Sequence, residues 1–203
     1  MFPSIAPITL ALIAANVFAY GIEKLFYGWV RYYLALWPWD SFASNVSAPF
    51  EIWQVLTYGF LHDPDNYAHI FFNMFALYMF GSDIERSMGE KKYLAYYVTC
   101  VIGAAVAQLA VMKLLGGPIV PTMGASGGVF GILLAFGIAF PQRRVMLLFP
   151  PIPMPARVFV TLYGVMELML GVFGTQQGVA HFAHLGGMGA GYLLILYWRR
   201  PSR

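Results

Sequence analysis

Residues 123–140 read MGASGGVFGILLAFGIAF, a run of apolar and small side chains without a single charged residue. A helix needs about 20 such residues to cross the hydrocarbon core of a bilayer, so this run predicts a membrane span. The whole chain agrees, because 60% of its 203 residues are hydrophobic and only 10% are charged. Soluble domains carry about 25% charged residues. The mean hydropathy of +0.67 therefore indicates a protein that is solvated by lipid.

Five further apolar segments accompany this run. Together the predicted spans cover residues 5–22, 67–84, 93–112, 123–140, 158–173 and 179–198. They predict an all-α fold, a polytopic six-transmembrane-helix bundle that forms a single membrane domain over residues 1–203. The longest connection, residues 28–66, is rich in Trp and Tyr. These side chains favour the membrane interface, so we expect this loop to lie partly in the headgroup layer.

The basic residues predict the orientation of the bundle. Nine of the twelve lie on one side, at Arg86, Lys91, Lys92, Arg143, Arg144, Arg157, Arg199, Arg200 and Arg203. The other three, Lys24, Arg31 and Lys113, lie on the opposite side. The positive-inside rule then places both termini in the cytoplasm. Because topology explains the net charge of +3, we expect the lipid bilayer as a partner and no nucleic acid.

Polar side chains lie near the outer ends of the three spans that run from outside to inside. His69 and Asn73 lie in the second span, Ser126 lies in the fourth, and His184 lies in the sixth. At 1.5 Å per residue, each lies roughly 3–10 Å below the start of its apolar segment. Ionisable side chains within spans usually face the bundle interior or a wet cavity. The four residues therefore predict a polar cavity that opens to the outer face.

Each of these residues also has a simpler explanation when it is taken alone. An intramembrane serine usually bonds back to its own helix, and an asparagine in a span commonly joins helices. A lone buried histidine is more often an interhelical contact than a catalytic group. Their common depth favours one shared site. A transporter or channel is the alternative of another class, but it would place polar groups at successive depths.

Glycines lie beside both the serine and the last histidine, at Gly124, Gly127, Gly187 and Gly191. Small residues let helix backbones approach closely, so we expect the fourth and sixth helices to bring Ser126 within hydrogen-bond reach of His184. Ser126 also begins its helix, where unpaired N–H groups and the positive end of the helix dipole would meet an oxyanion. A nucleophile, a base and an anion pocket are the parts that acyl transfer requires.

A third member of a catalytic triad is not apparent. The four aspartates lie in the first loop or at the inner end of the second helix, at Asp40, Asp63, Asp65 and Asp83. Glu167 lies in a helix that runs the opposite way, near its middle or in the half distal to the cytoplasm. We therefore predict a dyad of Ser126 and His184 that needs no metal and no cofactor. Glu167 is then either a structural hydrogen-bonding residue or a helix-end group.

At these residues the sequence resembles the rhomboid family of intramembrane serine proteases. Residues 124–127 match the family's nucleophile motif G-x-S-G, and residues 183–191 match its A-H-x-x-G-x-x-x-G motif. The resemblance implies that Ser126 is the nucleophile and His184 the general base; His181 lacks the glycines that follow His184. The family's H-x-x-x-N pattern corresponds to His69 and Asn73. With the Ser126 N–H, these two side chains would stabilise the oxyanion.

The resemblance extends in order over residues 51–197 and implies supporting residues. A glycine-bracketed acid–arginine motif corresponds to Glu85 and Arg86, and Phe130 takes the place of the aromatic side chain that stacks on the base. One departure is visible, because the family's first loop often carries W-R where this chain has Trp53 and Gln54. We expect the interfacial loop to form without that arginine.

The resemblance implies a serine endopeptidase of a bacterial inner membrane. Its substrates would be transmembrane proteins with a single span, cleaved near the outer membrane face at helix-destabilising, small residues. The alternative is a non-proteolytic member of the same superfamily that binds and routes membrane clients. Such proteins typically lack the nucleophile or the base, and this chain has both.

Overall fold

The computed structural model describes residues 4–39, 48–115, 120–146, 151–173 and 180–200. In these ranges the α-helices are α1 (Pro7–Leu34), α2 (Gln54–Thr57), α3 (Tyr67–Ala76), α4 (Ser82–Met88), α5 (Glu90–Leu115), α6 (Ser126–Ala139), α7 (Ala156–Phe173) and α8 (His181–Trp198). A 3₁₀ turn, Tyr58–Phe60, follows α2, and a π-helical segment, Leu77–Gly81, joins α3 to α4. Asp40, the Gly-Gly-Pro sequence at 116–118 and Arg203 lie outside the described residues.

The predicted spans coincide with helices, but the first one ends elsewhere. α1 continues past residue 22 to Leu34, through a local break at Phe26 where φ is −133° and ψ is 38°. The charged residues that end the apolar window do not end the helix, because Glu23 is buried and accepts a hydrogen bond of 2.8 Å from the N–H of His62. The first loop therefore begins after Leu34 rather than at residue 28.

Three of the described helices are long and apolar enough to cross a bilayer: α1, residues 90–114 of α5, and α7. α6 has 14 residues, so it rises roughly 21 Å, less than the ~30 Å of a hydrocarbon core. The connection between α6 and α7 adds a feature that an all-α prediction lacks. There β1 (Arg144–Met146) pairs antiparallel with β2 (Pro153–Pro155).

The core is formed where the backbones of α5, α6 and α8 meet. A Cβ atom at Gly187 would overlap the carbonyl oxygen of Gly127, so α6 and α8 touch backbone to backbone. The second glycine of the predicted pair has a different neighbour, because Gly191 lies against Tyr96 and Cys100 of α5. The G-x-x-x-G pair therefore serves two interfaces rather than the α6–α8 interface alone.

Glu85 joins α4 to the start of α1. Its Oε1 accepts from the N–H of Ile8 at 2.9 Å, and its Oε2 accepts from the N–H and the hydroxyl of Thr9 at 2.7 and 2.8 Å. A carboxylate at this position satisfies orphan N–H groups and complements the helix dipole. Arg86 donates to the carbonyl of Ser4 and extends the same junction. The acid–arginine pair thus fastens the first helix to the second span.

Gln54 organises the loop between α1 and α3 from a fully buried position. Its Oε1 accepts from the N–H of Trp37 at 3.2 Å, and its Nε2 donates to the carbonyls of Pro49 at 3.2 Å and Tyr33 at 3.4 Å. The indole N–H of Trp53 also donates to the carbonyl of Tyr33, at 2.9 Å. An amide therefore holds this loop where the family often has an arginine.

The contact between α6 and α8 generates a prediction with a control in the same helix. We expect Gly187→Ala to lower the free energy of unfolding by about 1–3 kcal/mol, because the added methyl overpacks a backbone contact. Gly189→Ala should not lower the free energy of unfolding, since a Cβ there meets nothing within 4 Å and alanine favours a helix more than glycine does. Thermal unfolding in detergent measures both. Equal melting temperatures for the two variants would show that the helices are not held this closely.

Candidate active site

Ser126 and His184 face each other at the start of their helices. Nε2 of His184 lies 2.8 Å from Oγ of Ser126, a hydrogen-bond distance between residues 58 positions apart. Ser126 is the first residue of α6, and His184 lies in the first turn of α8. The glycine contact between Gly127 and Gly187 lies next to both side chains and sets their separation. The serine is partly exposed, so a reactant can reach it.

Phe130 holds the plane of the histidine ring. Its ring lies 4.3 Å from the ring of His184, centroid to centroid, with an angle of 6° between the planes. Phe130 comes one turn after Ser126 on α6, so the residue that stacks on the imidazole shares a rigid helix with the hydroxyl that the imidazole contacts. The ring of Phe130 also lies 6.5 Å from the ring of Tyr163 on α7, centroid to centroid.

A carboxylate lies behind His184, contrary to the prediction of an isolated dyad. Oε2 of Glu167 lies 2.9 Å from Nδ1 of His184 and 2.6 Å from Nδ1 of His181. Glu167 is buried on α7, which packs against α8. Because α7 runs opposite to α8, its second half lies at the depth where α8 begins. The predicted alternatives for Glu167 thus resolve to a hydrogen-bonding residue, one that contacts the histidine of the pair.

The sequence predicts part of the contact between Glu167 and His184, namely the depth of the two residues. Glu167 lies six residues before the end of α7 at Phe173, roughly 9 Å in depth, and His184 lies close to the same level. His181 and His184 are three residues apart and share one face of α8. What the sequence lacks is the rotation of α7 about its axis. That rotation decides whether Glu167 faces α8 or lipid.

The same three residues meet the spatial criterion for a metal site. The ligand atoms of Glu167, His181 and His184 all lie within 4.8 Å of one another. Two ligands at 2.0–2.1 Å from a tetrahedral zinc ion would be about 3.3 Å apart. The oxygen–nitrogen distances of 2.6 and 2.9 Å are shorter and match hydrogen bonds. Hydrogen bonding therefore accounts for the cluster, and we assign no metal to it.

An open space lies between Ser126 and His69. Gly124 has φ of +138°, a conformation that favours glycine. A Cβ on Gly124 would lie 2.9 Å from Nε2 of His69 and 3.5 Å from Oγ of Ser126. Because glycine has no Cβ, this volume stays free beside the serine and within reach of an imidazole nitrogen. A side chain at residue 124 would crowd the gap between the serine hydroxyl and this imidazole.

Asn73 and His62 border His69. The Nδ2 of Asn73 donates to the carbonyl of His69 at 3.0 Å, which occupies one of its two N–H groups. The ring of His62, in the loop before α3, lies edge-on to the ring of His69 at 4.9 Å. Burial lowers the pKa of His62 to about 3, so this ring is neutral near pH 7. His62 was not among the residues identified from the sequence.

The first loop fixes the chain just before Ser126. Leu36 and Thr122 exchange backbone hydrogen bonds of 3.0 and 2.9 Å, and the N–H of Gly124 donates to the carbonyl of Tyr58 at 3.0 Å. The hydroxyl of Tyr58 donates to the carbonyl of Val101 on α5 at 2.8 Å. The segment that leads into α6 is therefore anchored through the loop to the core of the bundle.

Comparisons with known proteins agree with this architecture. The sequence profile of a family described as "Rhomboid domain" matches residues 49–201. Rhomboid protein 1, mitochondrial, of Saccharomyces cerevisiae is 30% identical over 190 residues, which are 92% of this chain and 52% of that protein. Rhomboid protease GluP of Bacillus subtilis is 26% identical over 150 residues, 73% of this chain and 26% of that protein. The chain spans about half the length, or less, of these relatives.

A human protein is similar over a shorter region. Presenilin-associated rhomboid-like protein, mitochondrial, of Homo sapiens is 27% identical over 134 residues, which are 64% of this chain and 34% of that protein. The proteins that resemble this chain thus include a bacterial protein and two mitochondrial ones.

The ring stack on His184 generates a prediction about the reactivity of Ser126. We expect Phe130→Leu to slow the reaction of Ser126 with a fluorophosphonate by roughly 10- to 100-fold, because a misplaced base loses its alignment with the hydroxyl. Phe130→Tyr keeps the flat ring and should react near the unmodified rate. Gel-based labelling with a fluorescent probe measures these rates.

A matched control is available on α3. Phe72 is exposed on the outside of the bundle, so Phe72→Leu makes the same chemical change away from the histidine. If Phe130→Leu and Phe72→Leu label at the same rate, the stack does not orient His184.

Proposed function

Because the chain belongs to the rhomboid family, we propose that it is a serine endopeptidase that cleaves transmembrane segments within the membrane. The observation that carries the proposal is the 2.8 Å distance between Nε2 of His184 and Oγ of Ser126. The chain is a multi-pass helical membrane protein, as a rhomboid domain implies. A serine hydroxyl within hydrogen-bond reach of an imidazole nitrogen is the arrangement that nucleophilic catalysis requires.

The proposed reaction begins with proton transfer from Ser126 to His184. Nε2 of His184 removes the hydroxyl proton while Oγ of Ser126 attacks a substrate peptide carbonyl, which becomes a tetrahedral oxyanion. His184 then donates the proton to the leaving amine, and an acyl-enzyme forms on Ser126. Water, deprotonated by His184, hydrolyses this ester and releases the second product. No step requires a metal or a cofactor.

The oxyanion would lie in the space beside Gly124. The Ser126 N–H belongs to the first turn of α6, where backbone N–H groups have no intrahelical acceptor. Nε2 of His69 borders the same space, and Asn73 retains one amide N–H that is not used in its bond to the His69 carbonyl. Donors held in place before the reaction stabilise developing charge without reorganising. Gly124 supports the pocket by having no side chain to fill it.

The proposed substrates are proteins with a single membrane span. A transmembrane segment stays helical, because lipid offers no hydrogen-bond partner for exposed backbone groups. The helix shields its own peptide bonds from a nucleophile. A scissile segment must therefore unwind, and small or helix-destabilising residues near the outer membrane face make this easier. We propose six spans with both termini in the cytoplasm, in a bacterial inner membrane, which places Ser126 toward the outer face.

Replacement of the proposed nucleophile tests this function. We expect Ser126→Ala to abolish cleavage of a single-span substrate reconstituted with the protein in liposomes, because no other group supplies the attacking oxygen. Ser87→Ala is the control, since Ser87 is exposed near the end of α4 and is not one of the candidate site residues. Product formation on gels is the measurement. Undiminished cleavage by Ser126→Ala would refute the mechanism.

The alternative of a non-proteolytic client-binding protein predicts a different result in the same assay. The unmodified protein and Ser126→Ala would then both retain the substrate and leave it intact. Cleavage by the unmodified protein alone excludes this alternative.

The oxyanion assignment generates a second prediction. We expect Asn73→Ala to lower kcat by roughly 100-fold with little change in KM, the size of effect produced by removing one oxyanion donor. Asn73→Asp should be slower still, because a carboxylate near the pocket repels the developing negative charge. Steady-state cleavage kinetics measure both variants. Equal kcat values for Asn73→Asp and the unmodified protein would remove Asn73 from the oxyanion pocket.

A further inference from the structure

Glu167 is a buried acid in an apolar bundle, and the mechanism above does not use it. Burial of an isolated carboxylate is unfavourable unless the group is paired and hydrogen-bonded. The residue is 6% exposed, and one of its oxygens, Oε2, is hydrogen-bonded to both imidazoles of α8. The carboxylate therefore lies against the candidate base as well as against His181.

With Glu167 ionised, these hydrogen bonds define the tautomer of His184. An ionised carboxylate only accepts hydrogen bonds, so Nδ1 of His184 and Nδ1 of His181 both donate to Oε2. A neutral His184 with its proton on Nδ1 has a lone pair on Nε2. That lone pair faces the hydroxyl of Ser126 at 2.8 Å. This is the tautomer that a general base for Ser126 requires.

We propose that Glu167 is a positioning residue that orients His184 and balances its charge, and that His181 holds Glu167 in place. The proposal rests on the proposed protease function. Glu167 takes up no proton. When His184 accepts the proton of Ser126 it becomes an imidazolium, and the fixed negative charge at 2.9 Å stabilises that state. The working unit is then Ser126–His184–Glu167, with His181 as a fourth, supporting member.

Phe130 and Glu167 constrain different motions of the same ring. The stack of Phe130 at 4.3 Å and 6° fixes the plane of the imidazole but allows the ring to flip over about its Cβ–Cγ bond, which preserves that plane. The hydrogen bond between Nδ1 and Glu167 disfavours the flip and selects the tautomer. The two contacts come from α6 and α7, so three helices, α8 included, meet at His184.

His181 supplies the restraint on the carboxylate itself. Its Nδ1 lies 2.6 Å from Oε2, closer than that of His184. Its Nε2 is buried and has no hydrogen-bond partner among the described residues. The hydrogen bond of this ring is therefore the one between Nδ1 and Glu167. Gly171, one turn after Glu167, keeps α7 close, because a Cβ there would lie 3.2 Å from Cβ of His181.

Two substitutions of Glu167 separate its charge from its size. Glu167→Gln keeps the volume and an accepting oxygen but removes the charge, whereas Glu167→Asp keeps the charge and shortens the side chain. We expect Glu167→Gln to lower kcat by roughly 10²- to 10⁴-fold with KM nearly unchanged, and Glu167→Asp to retain more activity. A packing role predicts the reverse order, because Gln fills the site better. Liposome cleavage kinetics measure both.

Control variants separate the role of Glu167 from the protease function itself. Glu90→Gln makes the same chemical change at an exposed residue at the start of α5 and should leave kcat unchanged. If Ser126→Ala is inactive while Glu167→Gln turns over at the unmodified rate, the role of Glu167 is wrong and the protease function stands. If Ser126→Ala is also active, the function itself fails.

His181→Asn tests the proposal when the Glu167 variants do not fold. It removes the ring that holds the carboxylate but leaves Glu167 and His184 in place. We expect kcat to fall by roughly tenfold with KM unchanged, as for a group that acts through another residue. An undiminished kcat in folded His181→Asn, verified by its thermal unfolding, would overturn the proposal.

Discussion

The backbone contact between Gly127 of α6 and Gly187 of α8 is the constraint on which the site depends. Ser126 precedes the first glycine directly, and His184 lies one turn before the second, so this contact sets the 2.8 Å between the two side chains. A hydrogen bond weakens steeply when its partners move apart. Because the glycines also leave no space between the helices, the contact between α6 and α8 limits how far the two side chains can separate.

Buried carboxylates make several of the other long-range connections. Glu23 accepts from the N–H of His62, Glu85 accepts from α1 at Thr9, and Glu167 accepts from two imidazoles of α8. In a lipid environment polar groups must be satisfied within the protein, so each acid fastens one segment to another that is distant in sequence. At Glu85 the result is structural. At Glu167 the same requirement places a negative charge behind the imidazole that faces Ser126.

Most of the fold could be predicted from hydropathy. Each membrane span needs a long apolar run, and the apolar runs of this sequence correspond to its long helices. The error in the first helix has a physical cause. The window test ended α1 near residue 22 because charged residues follow, yet Glu23 is buried and paired. Gln54 is also polar and buried, and its amide bonds three backbone groups. Hydropathy records the cost of a polar side chain but not the partner that offsets its burial.

The sequence by itself predicted which residues could react and at what depth they would lie. Motif spacing, the 1.5 Å rise of a helix and the asymmetry of basic residues predict one level for Ser126, His69 and His184. The tertiary structure decided which side chains face each other there. It brought Glu167 to His181 and His184, because the rotation of α7 about its axis is set by packing against α8, and an apolar helix carries no unique sequence record of that rotation.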